Sequence, residues 1–367
     1  MPNPNALVSN VLRVEPAPDA GRDRFVVLEG ERRVRLDAGN PRSAGYAQIL
    51  EGLSKLRTPV YLEVDPATSA VTRLLIPLVT RVLALRESND GVEVEVQYSH
   101  GRHLLRGGAA DYEELLAAIR ESERTGNLVT MTENDAHEIL DVRIYTPGPE
   151  GPPVPFPKVG RPGRITSKRP WYQLIFGWFW WICWFFCSWW RCIRLSRAEQ
   201  AFNAMALTTC DPLTVSAPCI PFLYPDDGCW ARAHEMCRLM INMGLTPRKV
   251  WISANTRLHV NTRNNPACYV EWGWHVAPTL CVRGPGWFQT QDMVMDPSLF
   301  TSPVDEPTWK GVQGDPLATL TPSDASDYLW GQTDPTYSQT NYYLSYYRLQ
   351  LQNRALTVGP PPYAACP

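Results

Sequence analysis

The first 182 residues contain no cysteine. Disulfides, thiol nucleophiles and thiolate metal ligands are thereby confined to the C-terminal half. The chain also lacks a surplus of either charge, with 35 basic against 37 acidic residues. No global field attracts nucleic acid, so no nucleic-acid partner is expected. The first residues, MPNPNALVSNVLRVEPAPDAGRDR, lack an apolar run behind a basic start. A cleavable signal peptide is not expected. Apolar residues make up 44% of the chain, which excludes both a polytopic membrane protein and a disordered one. What is abundant is clustered: 34 prolines and 14 tryptophans.

Residues 1–146 read as a small β-rich α+β domain of unknown role. Strands are expected at Phe25–Glu29, Val34–Leu36, Val60–Val64, Val71–Ile76 and Val92–Tyr98, the last by its apolar–polar alternation. Helices are expected at Tyr46–Leu56 and Tyr112–Glu123. His100, His103 and His137 have no ligand spacing and read as ordinary structural or surface histidines. Residues 147–170 form a linker, where eight prolines favour extended backbone and the second half is basic.

Trp171–Trp190 carries no charge and 12 aromatic residues, seven of them tryptophan. As a helix it would rise about 30 Å, one hydrocarbon core. Tryptophan prefers the interface, so the segment reads as a membrane contact or a partner dock, ahead of a buried core helix. The flanking basic residues favour a single pass that leaves the C-terminal domain extracytoplasmic; a soluble effector is the alternative.

Residues 196–367 form the last domain. A helix is expected over Cys229–Met243, closed by Gly244, with Trp230, Ala233, Cys237, Met240 and Ile241 on its buried face. Strands are expected at Lys249–Ser253, Cys268–Val276, Thr279–Val282 and Gln289–Met295, and a closing helix at Asn341–Leu356. Asp226 and Asp227 are candidate caps for the first helix. Its free amides and dipole would lower the pKa of the Cys229 thiol and make it a nucleophile. A structural cysteine is an equal reading on position alone.

The nucleophile needs a base. His234 is five residues along the same helix, rotated about 140° and displaced about 7.5 Å, which disfavours it. His259 and His275 lie on later strands. His275 is flanked by small and aromatic residues that could wall a cleft. Asp296 ends a strand before Pro297, where its carboxylate could fix an imidazole tautomer.

Three separated tracts sharpen this pattern. They are Thr208–Leu213 with Ile220–Met236, then Asn264-Asn265-Pro266 with Trp274-His275-Val276-Ala277-Pro278, then Asp296-Pro297-Ser298-Leu299. Together they resemble the bacterial protein glutaminases, enzymes that deamidate protein-bound glutamine. The resemblance covers about 200–355 and nothing in 1–195. It implies an α+β, papain/transglutaminase-like catalytic domain with Cys229, His275 and Asp296 as the triad. It also implies a protein substrate with an accessible glutamine, and no cofactor. A cysteine peptidase, a transglutaminase and a non-enzymatic membrane-anchored binding module remain alternatives.

Apart from Cys229, the domain's cysteines are Cys210, Cys219, Cys237, Cys268, Cys281 and Cys366, enough for up to three disulfides outside the cytoplasm. A zinc site is not expected, because Cys210/Cys219 is not a knuckle and Cys229, His234 and Cys237 share no helix face.

Overall fold

The computed structural model describes residues 5–17, 23–148, 151–158, 192–214, 217–284, 286 and 289–367. The Trp171–Trp190 segment lies outside them. Among the described residues, no helix is long and apolar enough to cross a membrane.

The N-terminal half begins with β1 (Ala6–Pro16), which pairs on one side with β2 (Arg24–Leu28), itself paired with β3 (Arg33–Leu36). On its other side lie β4 (Pro59–Val64) and β5 (Val71–Leu75), giving an antiparallel sheet in the order β3-β2-β1-β4-β5. Helix α1 (Ser43–Leu56) covers it, burying Tyr46, Ile49, Leu50 and Leu53 at helical spacing. Two small sheets follow. One joins β6 (Leu78–Thr80) to β10 (Val129–Glu133) and β11 (Ile139–Ile144); the other runs β7 (Val82–Ser88), β8 (Gly91–Val96), β9 (His103–Arg106). Helix α2 (Tyr112–Thr125) packs across them with Leu115, Leu116 and Ile119 buried.

The C-terminal half opens with α3 (Leu195–Ala206), for which the sequence reading has no counterpart. Helix α4 (Cys229–Asn242) lies against a sheet in the order β15-β14-β13-β12-β16. Its strands are β12 (Arg248–Asn261), β13 (Tyr269–Arg283), β14 (Thr290–Val294), β15 (Val304–Asp305) and β16 (Thr319–Asp324). Helix α5 (Glu306–Gly311) follows β15, a short hairpin β17 (Asp327–Leu329)–β18 (Gln332–Thr333) follows β16, and α6 (Ser338–Thr357) closes the chain.

The two strands expected on either side of Pro278 are one. Pro278 pairs with Lys249 of β12, and its carbonyl accepts from Met295 just beyond β14. Its missing N–H would point to that same edge, where β14 has ended, so no ladder bond is lost.

Helix α4 is not amphipathic in its setting. Every residue from Cys229 to Cys237 is buried, including Arg232, His234 and Glu235, whereas Ile241 is half exposed. Sheet, α6 and the N-terminal half surround its first turns, and polar side chains reach water only from Arg238 onward. One apolar core runs through both halves, from Val26 and Leu50 to Trp230 and Leu351.

Helix α6 is the axis of that union. Gly45 and Gly52 lie on one face of α1, and a Cβ on them would approach Leu356 to 2.3 Å and Leu349 to 2.8 Å. Glycine there lets the two helices meet. Thr58 Oγ1 and Tyr342 OH lie 3.1 Å apart; Asn353 donates to the Leu74 carbonyl and Tyr346 to that of Ile76.

Three disulfides join Cys192 to Cys281, Cys210 to Cys219 and Cys268 to Cys366. The expected set is corrected in one member. Cys237 is a free, buried thiol facing the Arg248 carbonyl, and Cys192 takes its place. In the segment before α3, Ile193 bridges to Val282 of β13, which brings Cys192 to Cys281.

Candidate active site

Cys229 is the first residue of α4. Neither Asp226 nor Asp227 caps that helix; the position before it is Gly228, at φ +81°. A Cβ there would meet the Tyr347 ring at 2.4 Å, so this turn admits only glycine. Asp227 instead accepts from the Gly228 and His100 amides. Asp226 turns into a buried ionic cluster described below.

His275 lies mid-strand in β13, opposite Ile252 of β12. Its Nε2 stands 2.9 Å from Asp296 Oδ2. Asp296 also accepts from the Trp309 indole at 3.0 Å and the Ser298 amide at 3.2 Å. Trp272 stacks on the His275 ring at 4.5 Å between centroids. Burial alone would raise the Asp296 carboxyl. The His275 ring and the Trp309 donor outweigh it and hold the group below the ordinary carboxylate range.

With Nε2 engaged, His275 Nδ1 is the free nitrogen. A ring nitrogen of His275 and Cys229 Sγ belong to a group of ligand-type atoms that all lie within 4.8 Å of one another. The sequence-expected residues Cys229, His275 and Asp296 therefore converge. His234 does not join them. Its ring accepts from the Lys249 ammonium at 3.0 Å, and burial and that charge push it down to about 4. His259 stacks on Tyr269 at the surface.

The expected depressed thiol is reversed. Burial pushes the Cys229 thiol well above its ordinary value, against the pull of the Arg232 guanidinium. Cys229 and His275 are each 1% exposed and Asp296 2%. Desolvation thus outweighs the helix dipole, and the cause is a cover supplied by the N-terminal half.

That cover is residues 98–102. The His100 carbonyl accepts from the Gly273 amide, and Gly101 bridges to Trp272. His100 Nδ1 donates to the Trp274 carbonyl at 2.9 Å, and its ring stacks on His275 with centroids 5.8 Å apart. His100 is the third member of the group with Cys229 and His275. Sequence reasoning left it among the structural histidines, since nothing in Ser99-His100-Gly101 signals a partner 175 residues away. Arg232 was missed too; one helical turn from Cys229, its guanidinium is tied to the Tyr224 carbonyl.

A second cluster fastens the halves beside this cover. Glu133 binds His103 Nδ1 at 2.6 Å and His137 Nδ1 at 2.8 Å. His137 Nε2 faces Asp226 at 3.6 Å, and Arg354 of α6 binds Asp226 at 2.7 Å and Asp135 at 2.8 Å. His103 and His137, read as scattered, form one constellation with Glu133.

Residues 198–313 match a family model described as glutaminase, and all three triad candidates fall inside that span. No curated protein matches the chain. A crystal structure of a pro-protein-glutaminase is 21% identical and covers 80% of this chain and 99% of its own, at a TM-score of 0.51. The A47Q2 mutant of a pro-protein-glutaminase gives 21% identity over 74% of this chain and 92% of its own, at 0.49. Protein-glutaminase from Chryseobacterium proteolyticum is 28% identical over 40% of this chain and 77% of its own, at 0.33. The C-terminal half is similar to the protein glutaminases, and the chain shares a mixed α+β fold with the first of these structures. Residues 192–367 are under half of the chain, so a likeness over 80% reaches into the N-terminal half. The sequence resemblance, which starts near residue 200, did not extend there.

Proposed function

We propose that this chain deamidates glutamine side chains of proteins through Cys229, His275 and Asp296, in a papain/transglutaminase-like catalytic domain. The observation that carries the reading is the convergence of a helix-start thiol, an imidazole and a buried carboxylate inside the span matched to the glutaminase family. Asp296 holds the Nε2–H tautomer, which aims the Nδ1 lone pair at the thiol. His275 takes the Cys229 proton, and the sulfur attacks the amide carbon of the substrate. His275 returns the proton to the departing nitrogen, which leaves as ammonia, and a thioester remains. Water, deprotonated by His275, then attacks the thioester to release glutamate and restore the thiol. The Cys229 backbone amide is the donor placed for the oxyanion.

The arrangement described is the closed form of this enzyme. A glutamine side chain on another protein cannot reach a thiol that is 1% exposed. Residues 98–102 must leave first, as a pro-region would, and water then returns to the thiol and lowers its pKa. The test compares the intact chain with chain cut between 158 and 192, measuring ammonia release and amide-to-acid mass shifts on a glutamine-bearing protein. Activity is expected after cutting, and Cys229→Ala should lower it by at least about 10⁴-fold. Peptide cleavage or amine incorporation in place of ammonia would reassign the reaction. No product from the cut chain would overturn the reading.

A further inference from the structure

The closed site has an unused capacity. His100 Nε2 and His275 Nδ1 are both buried, and neither has a hydrogen-bond partner. Two unsatisfied buried imidazole nitrogens are costly unless something takes up their lone pairs. One ring nitrogen of each histidine and the free thiol of Cys229 all lie within 4.8 Å of one another, and the Trp274 carbonyl and Asp296 already engage the opposite nitrogens.

We propose that His100, Cys229 and His275 form a site for a thiophilic divalent cation of the zinc type, which locks the N-terminal half over the nucleophile. Each imidazole is already in the tautomer a metal requires. His100 Nδ1 donates to the Trp274 carbonyl, leaving the Nε2 lone pair free. His275 Nε2 donates to Asp296, leaving Nδ1 free. A carbonyl or carboxylate behind each ligating histidine is the usual outer shell of a zinc site. One sulfur and two imidazoles suit zinc, cobalt or nickel and disfavour magnesium and calcium. Asp227 Oδ1 lies 3.4 Å from His100 Nε2 but is not a member of the group of three, which leaves the fourth position to water. Binding replaces the thiol proton with the metal, so one proton is released per ion. A cavity of about 240 Å³ lined by Ser99, His100, Gly101, Trp272 and Trp274 opens on the His100 side of the group.

The set exists only while the halves are together, because His100 comes from one and Cys229 and His275 from the other. A cation bound there stabilises the closed form and competes with substrate. The geometry does not depend on the reaction being deamidation.

Cobalt(II) is the probe, titrated into the intact, disulfide-bonded chain. The expected result is one ion per chain, a sulfur-to-cobalt charge-transfer band in the near ultraviolet and the visible bands of a tetrahedral ion. Zinc should displace it. His100→Ala and Cys229→Ser should each weaken binding by more than about 100-fold, beyond what outer-shell losses cost. Cys237→Ser and His259→Ala should leave it unchanged. If His100→Ala does not fold, His100→Gln and Cys229→Ser carry the same comparison. Absence of the thiolate band, or its survival at full affinity in the folded His100 variant, overturns the proposal. Cobalt binding without ammonia release from the cut chain would sink the deamidation and keep the metal site; ammonia release without cobalt binding would do the reverse.

Discussion

Asp296 illustrates how much at this site depends on single atoms. Its carboxylate is held below the ordinary range although burial pushes the other way, because an imidazole and an indole both face it. A carboxyl with a depressed folded pKa stabilises the fold above its unfolded value near 4. That contribution is lost as pH falls through the folded value. Trp309→Phe keeps an aromatic ring and removes the donor. It should cost about 1–3 kcal/mol and start acid unfolding at a higher pH. Urea titrations of both proteins across the acid range check this; coincident acid limbs would show that the indole donor is idle. Asp296→Asn should lower turnover of the cut chain on the order of 10³–10⁴-fold, by losing the tautomer control of His275. Residues of this kind were legible in the sequence because each sits at an element boundary: Cys229 at a helix start, Asp296 before a proline that ends a strand. His100 was not legible. Its importance comes from tertiary contact alone, and no local spacing encodes that.

At the scale of elements, periodicity carried the reading where one face is dry and the other wet. The strands around Phe25, Val34, Val60, Val71 and Val92 and helices α1 and α2 fall where the sequence places them, whereas β1, β6, β7, β9, β10 and β11 have no counterpart in that reading. It misled on finer points where an element is surrounded. The helix expected from Cys229 is there, but its polar Arg232, His234 and Glu235 are buried too, and β13 runs through a proline that reads as a break. The α1–α6 contact was illegible for another reason: glycine has no hydropathy signature, yet Gly45 and Gly52 set the approach of the two helices. Gly45→Leu with Gly52→Leu should overpack that contact by about 1–3 kcal/mol. The expected outcome is a lower melting temperature together with measurable deamidation by the uncut chain, since the same contact holds the cover in place. A variant that melts lower and stays inactive would separate α1 from the closing of the site.

For the molecule as a whole, the buried cluster of His103, Glu133, His137, Asp226, Arg354 and Asp135 joins the halves. Burial would lower His137, but Glu133 and Asp226 prevail and hold it well above its ordinary value. A raised pKa gives stability that is complete below the unfolded value near 6.5 and is lost as pH rises through the folded one. Burial would raise Glu133 and Asp226, but the facing cations hold both low. Their contribution is present above about 4 and fades on acidification. Closure should therefore be firmest between about pH 4 and 6.5 and loosen toward alkali. His137→Gln should flatten the alkaline limb of a urea-midpoint profile, and an unchanged limb would assign it to another group.

The disulfides have a consequence for what a single cut does. All three lie on the C-terminal side, and residues 1–182 have no cysteine to offer. Between residues 158 and 183 the peptide backbone is thus the sole covalent path from cover to nucleophile. Severing it there turns an intramolecular closure into a two-body equilibrium, governed by concentration and indifferent to reductant. The specific activity of the nicked protein should then climb on dilution, while that of the intact chain stays flat.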